Sequence, residues 1–195
     1  MSRKLFLDAD NTILNTTKAF IETYMLIYGR KYMNKENKIP KWEKVSKYDF
    51  TDQIPSLTLK EKRIVFETMV LHDKLDYYEG AKEIINKLSK DFDIHIVSMC
   101  SLKTATLKGD KFSKDFPFVK FMPILHTNYE DKSIVDMRNG VFIDDVAKNL
   151  ITSSADVKLC MKYNGIEMDI NKDWNGSVIT SWDEDTYSML YDLLK

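Results

Sequence analysis

Lys4-Leu5-Phe6-Leu7-Asp8-Ala9-Asp10-Asn11-Thr12-Ile13-Leu14 is the stretch that decides how the rest of the chain is read. Its apolar run is short enough for a buried parallel strand, and it delivers two aspartates, one residue apart, into a turn made of Asn and Thr. Side chains at i and i+2 of an extended segment point to the same side, so the two carboxylates repel each other unless a cation or a proton intervenes. On this segment alone, an ordinary solvated strand end with acidic residues competes with a functional site.

The whole chain bounds the answer. At 195 residues, 44% hydrophobic and 12% aromatic, it is long enough for one good core, or for one core plus a small satellite unit. With 29 Lys+Arg against 30 Asp+Glu the formal charge is −1, so bulk electrostatics recruits neither nucleic acid nor membrane, and a bound anion must be held locally. Two cysteines, Cys100 and Cys160, both in apolar segments, and an N-terminus that enters a strand with no signal-peptide core lead us to expect a reduced, cytoplasmic setting. No apolar run approaches the length of a transmembrane helix.

Helical periodicity is expected from Thr16 to Tyr32, loosened at Gly29, followed by a polar connection over 34–47 around Trp42. A second helical stretch starts at Thr58, an N-cap with Glu61 three residues on, and runs through Ile64, Val65, Met69 and Leu71. Ala81 to Leu88 reads as a helix with Ile84, Ile85 and Leu88 on one face. From Phe92 strands alternate with helices. Ile94-His95-Ile96-Val97-Ser98 ends in a hydroxyl, Phe118 to Leu125 is broken by Pro123, Val141-Phe142-Ile143 ends in Asp144-Asp145, and Val157–Met161 and Val178-Ile179 complete the set. This grammar predicts an α/β fold with a parallel sheet flanked by helices on both faces. Residues 1–14 and 80–195 form the core in this reading, and residues 15–79 a small helical unit inserted after the first strand.

Ligands of open parallel sheets bind outside the carboxyl ends of the strands, so Asp8, Asp10, Ser98, the 127–132 region, Asp144 and Asp145 should converge. Such a cleft is strongly negative, with Lys132 and Lys103 as the nearby cations. Oxygen ligands without a convergent His or Cys set point to Mg²⁺ rather than zinc. With a hard cation and a lysine neutralising incoming oxygens, a carboxylate can act as a nucleophile towards phosphorus, and a second one two residues on can serve as acid and base.

The order Asp8-Ala9-Asp10-Asn11-Thr12, then Ser98, then Lys132, then Asp144-Asp145 resembles the four motifs of the haloacid dehalogenase (HAD) superfamily. Within it, Glu130-Asp131-Lys132-Ser133-Ile134-Val135, Val141-Phe142-Ile143-Asp144-Asp145, Ser181-Trp182-Asp183-Glu184-Asp185 and Gly109-Asp110-Lys111-Phe112 look like the 5'(3')-deoxyribonucleotidase family. The resemblance implies a Rossmann-like HAD core with a small helical cap, Asp8 as nucleophile and Asp10 as acid/base. It puts the metal on Asp8, the Asp10 carbonyl and one of Asp144 and Asp145, with Asp145 favoured. Ser98 and Lys132 would hold the phosphate, with Asn11 and Met99 beside them, and Tyr48, Phe50 and Tyr78 are the cap-side candidates for substrate contact. The substrate implied is a small phosphate ester, a deoxynucleoside monophosphate first, with a homodimer left open. The alternatives are another small phosphate ester, a polynucleotide 3'-phosphate, or a silent HAD-like binding protein. Asn11 departs from the usual Gly after the second aspartate, Met99-Cys100 from Ser-Pro, and Glu130 from Arg. Outside the motifs, His95 reads as a core residue, His72 and His126 as surface or loop residues, Cys100 as structural, and Trp182 as packing the last helix on the sheet.

Overall fold

The computed structural model describes residues 3–195. The chain enters as β1 (Lys4–Leu7), then runs through α1 (Thr16–Glu36), a 3-10 turn (Trp42–Lys44), α2 (Leu59–Phe66), α3 (Met69–Asp73) and α4 (Ala81–Leu88) before the alternation begins. β2 (Ile94–Cys100), α5 (Leu102–Asp115), β3 (Lys120–Leu125), β4 (Gly140–Asp144), α6 (Ala147–Thr152), β5 (Val157–Met161), β6 (Ser177–Ile179) and α7 (Glu184–Leu194) follow. The six strands form one parallel sheet in the order β3-β2-β1-β4-β5-β6. β1 lies inside the sheet, Leu7 opposite Ile96 on one side and Ile143 on the other. The chain proceeds outward from β1 through β2 and β3, then returns to β4 on the other side, so the switch point that opens a crevice lies at the carboxyl end of β1.

Burial explains the strand runs. Leu5, Leu7, Ile94, Ile96, Val141 and Ile143 are buried on a sheet covered on both faces. α4 presents Ala81, Ile84, Ile85 and Leu88 inward, as its apolar spacing requires. His95 is a core residue, stacked on Phe6 at 5.0 Å with Nε2 3.1 Å from Asp93. Trp182 is buried, but its indole N–H donates to the Thr12 carbonyl at 2.8 Å and so ties the chain's last connection to the turn after β1. Among the described residues no helix is long and apolar enough to cross a membrane.

Three local expectations change. α1 does not loosen at Gly29, which is buried within it, but continues to Glu36 and stops where Asn37 takes a left-handed φ of 47°. The stretch from Thr58 is two helices, because α2, opened by the Thr58–Glu61 capping box, ends at Phe66, and Thr68 caps a new helix by accepting from the Val70 N–H. Pro123 does not break β3, which begins at Lys120, because β3 is an edge strand and one face of its ladder needs no donor.

The segment between β1 and α4 leaves and re-enters beside the strand end. Leu14 forms an antiparallel bridge with Tyr77, the Asn15 N–H donates to the Asp76 carbonyl at 2.8 Å, and the Tyr78 N–H to Ile13 at 2.9 Å. Tyr77 donates its hydroxyl to Asp115 of α5 at 2.8 Å. Gly80, which starts α4 at φ +79°, lies against the Trp182 carbonyl, where an added Cβ would overlap that oxygen. Gly80→Ala should therefore cost about 3 kcal/mol or more in urea unfolding. A loss under about 1 kcal/mol would show that this junction yields freely.

Candidate active site

Asp8 follows β1 directly and is buried, with its backbone N–H donated to Ile143 of β4 at 2.8 Å. Two residues on, Asp10 pairs with Leu14 across a tight turn. Asn11 takes φ +53°, a left-handed conformation that Gly and Asn tolerate, which accounts for Asn standing at this position. Its side-chain oxygen accepts from the Thr17 N–H and hydroxyl, both at 2.9 Å, so this residue anchors the start of α1 while lining the cleft.

The carboxylates are held by two buried lysines. Lys132, 1% exposed, bridges Asp8 and Asp144, the latter at 2.6 Å. Lys108, 2% exposed, bridges Asp10 and the Ser98 hydroxyl, the latter at 3.0 Å. Lys103, the second cation expected from sequence, is exposed on α5. Lys108 instead occupies the inward stripe of that helix with Ala105 and Phe112. A lysine at i+3 from one buried apolar residue and i−4 from another is the signal that could have found it.

The carboxylates differ in what remains for a ligand. Asp144 accepts from Lys132, from the Val146 N–H at 2.8 Å and from Asn149 Nδ2 at 3.2 and 3.1 Å, so both its oxygens are engaged. The Asp145 side chain is buried and accepts no hydrogen bond among the described residues, while Asn171 Nδ2 holds its backbone carbonyl at 2.6 Å. One oxygen each of Asp8, Asp144 and Asp145 lie within 4.8 Å of one another. Four carboxylates against two ammonium groups leave a formal −2, which a divalent oxygen-seeking cation offsets.

Titration follows the same pattern. Burial, then the neighbouring Asp144 and Asp10 charges, push the Asp8 carboxyl up to about 7 against the pull of Lys132. Burial and the Asp8 charge raise Asp145 well above the carboxylate range. Burial acts upward on Asp10 too, but Lys108 and the Thr16 hydroxyl, at 2.7 Å, hold it below its ordinary value. Burial raises the Cys100 thiol, in keeping with a structural residue.

Asp8, Asp10, Asn11, Met99, Lys132 and Asp145 line one cleft of about 680 Å³, a size for a small ligand. Ser98 lies just beneath it through Lys108. Tyr48 and Phe50 line the opposite wall with Lys62 and Phe66, and Lys62 sits 5.1 Å from both of the first two rings. Tyr78 stands apart from the cleft, buried and stacked on Tyr163 at 3.7 Å beside the junction with α4. Neither His72 nor His126 is remote, since both line the cleft, and His72 Nε2 is buried without a hydrogen-bond partner among the described residues. Ser101 lines the cleft and caps α5 by accepting from the Thr104 N–H at 3.2 Å.

This fold recurs in solved structures. YfnB of Bacillus subtilis, described as a HAD-hydrolase bound to magnesium, superposes with TM-score 0.62 at 16% identity over 100% of this chain and 99% of that one. A HAD-superfamily hydrolase of subfamily IA from Geobacter sulfurreducens gives 0.60 at 12% identity over 100% of both chains, and one from Ehrlichia chaffeensis 0.57 at 15%, again over 100% of both. No curated protein matches the sequence. Fold and family model together define a HAD-type phosphatase. Within that class the chain belongs to the family described as 5' nucleotidase, deoxy (Pyrimidine), cytosolic type C, whose model matches residues 2–191.

Removing Lys132 leaves two buried carboxylates facing each other without their shared cation. Lys132→Met should lower stability by about 3–5 kcal/mol in denaturant unfolding without divalent metal. A variant within about 1 kcal/mol of the parent would mean that the pairing does not hold the site together.

Proposed function

We propose that the protein is a Mg²⁺-dependent phosphomonoesterase that removes phosphate from deoxynucleoside monophosphates by way of an aspartyl-phosphate on Asp8. The observation that carries the reading is the division of partners at the end of β1: Asp8 on Lys132, Asp10 on Lys108 and Thr16. Family membership supports the nucleotide, and the family's cytosolic designation supports a cytoplasmic setting.

Asp8 attacks phosphorus and forms an acyl phosphate while the ester oxygen departs. Asp10, a third exposed at the cleft edge and ionised in the free site, takes up a proton from solvent as the phosphate dianion binds beside it, delivers that proton to the departing oxygen, and then takes one from the water that hydrolyses the acyl phosphate. Lys132 orients the phosphoryl oxygens, Ser98 acts from beneath the cleft through its hydrogen bond with Lys108, and Met99 and Asn11 close the cradle. The donor set fits Mg²⁺, because Asp145 is a buried carboxylate without a hydrogen-bond partner among the described residues whereas Asp144 is fully engaged. Asp8, Asp145 and the Asp10 carbonyl would hold the ion, which when bound neutralises phosphoryl charge. Tyr48, Phe50 and Phe66 supply faces for a base, and the cleft's size favours a mononucleotide over a polynucleotide end.

Phosphate release from dUMP, dTMP, 3'-nucleotides, sugar phosphates and 3'-phosphorylated DNA tests the substrate. Deoxynucleotides should lead, and activity should vanish with EDTA and return with Mg²⁺; sugar phosphates ahead of every nucleotide would refute the substrate assignment. Asp8→Asn should lower turnover by at least about 10³-fold with the fold intact. Asp10→Asn should cost about 10²–10⁴-fold on a nucleotide and far less on an activated aryl phosphate, and equal losses would remove its acid role.

A further inference from the structure

The connection between β5 and β6 carries a polar cluster that the reaction scheme above does not use. A 3-10 turn over Asp169–Asn171 places two functional side chains two positions apart. Asp169 faces the inserted helical segment: its N–H donates to the Ser46 carbonyl at 2.8 Å, and its carboxylate accepts from the Tyr48 N–H at 3.0 Å. Asn171, 1% exposed, faces the core: its Nδ2 donates to the Asp145 carbonyl at 2.6 Å, and its Oδ1 accepts from the Ala147 N–H at 2.8 Å. The turn closes on itself through the Asn171 N–H to the Met168 carbonyl at 2.9 Å. Met168 and Ile170 line the cleft between them.

We propose that this turn couples the seating of the Tyr48 segment over the cleft to the placement of the Asp145 carboxylate, Asp169 acting as the latch and Asn171 as the positioning residue. Among the described residues the Asp145 side chain accepts no hydrogen bond, so its Cα–Cβ bond is aimed by its backbone, and the peptide that follows is held by Asn171 at the carbonyl and by Asp144 at the Val146 N–H. Outer partners that fix a ligand's orientation affect metal affinity by about 10–100-fold. The Tyr48 segment is itself stiffened from the other direction: Ser46 donates its N–H to Asp52 at 2.7 Å, and Lys62 donates to the Tyr48 carbonyl at 3.2 Å. A shift of that segment therefore reaches Asp145 through a short rigid turn and not through loose side chains. Linkage makes the effect reciprocal, so a cation on Asp145 favours the seated segment.

The inference rests on the assignment of Asp145 as a metal ligand, and metal binding without substrate separates the two. Asp169→Pro removes both the N–H and the carboxylate that grip the segment. Proline is tolerated at the first position of the turn, and Met168 before it is already extended at φ −77° and ψ 143°. Asp169→Asn removes the charge but keeps the acceptor for Tyr48. Mn²⁺ affinity, read from the free-ion electron paramagnetic resonance signal, should fall about fivefold or more in Asp169→Pro and stay within about twofold of the parent in Asp169→Asn. Asn171→Ala should weaken it by about tenfold or more, and if that variant does not fold, the Asp169 pair still decides. Unchanged affinity in Asp169→Pro, or an equal loss in both Asp169 variants, which would mark a simple charge effect, overturns the coupling. A parent protein that binds no Mn²⁺ overturns the metal assignment, and the coupling with it.

Discussion

The structure is organised around the cost of putting carboxylates at the buried end of a central strand. Asp8 and Asp144 terminate adjacent parallel strands, and the register that pairs Leu7 with Ile143 brings them face to face. Two such charges without partners would each require several kcal/mol of desolvation. Lys132 meets both, and a second buried lysine, Lys108, meets Asp10 from the opposite helix. Each lysine in turn depends on the strands and helices that exclude water around it. The core is therefore not merely a platform for the site, because the site's charges specify how the core must close.

That arrangement leaves the carboxylates unequal. Asp144 is saturated by Lys132, Asn149 and a backbone N–H, so it acts as a fixed counter-charge. Asp145 next to it accepts no hydrogen bond on its side chain among the described residues, and Asp10 is held ionised at the edge of the cleft by Lys108. Neighbouring residues of the same type thus acquire different chemical capacities from their partners alone. Across the cleft, the aromatic wall of Tyr48, Phe50 and Phe66 is reached by the chain that leaves β1 and returns at Tyr77, so one strand end supplies both the reacting groups and the route to the wall.

Much of this was legible in the residues. Apolar runs ending in aspartates or a hydroxyl marked β1, β2 and β4, and the helix at Ala81–Leu88 followed from spacing alone, because both signals are local consequences of burial. Pro123 was misleading because whether a proline breaks a strand depends on its place in the sheet, which sequence does not state. Lys108 escaped notice because a lysine in an apolar stripe resembles an ordinary amphipathic edge until its partner, 98 positions away, is known. Asp169 and Asn171 were invisible for a related reason: their partners are mostly backbone groups on distant segments, and backbone leaves no mark in the residue types. Tyr78 looked like a substrate contact because an aromatic beside a glycine turn fits either role, and packing against Tyr163 took it.

The central claim is that Asp8, held by Lys132 at the end of β1, is the nucleophile that accepts the phosphoryl group from the substrate. Rapid acid quench during turnover of a deoxynucleoside monophosphate carrying labelled phosphate, followed by peptide mapping, addresses it most directly. The account requires label on the peptide containing Asp8, forming and decaying at least as fast as product appears and absent from Asp8→Asn. Steady turnover with no labelled protein, or label on a different residue, contradicts it.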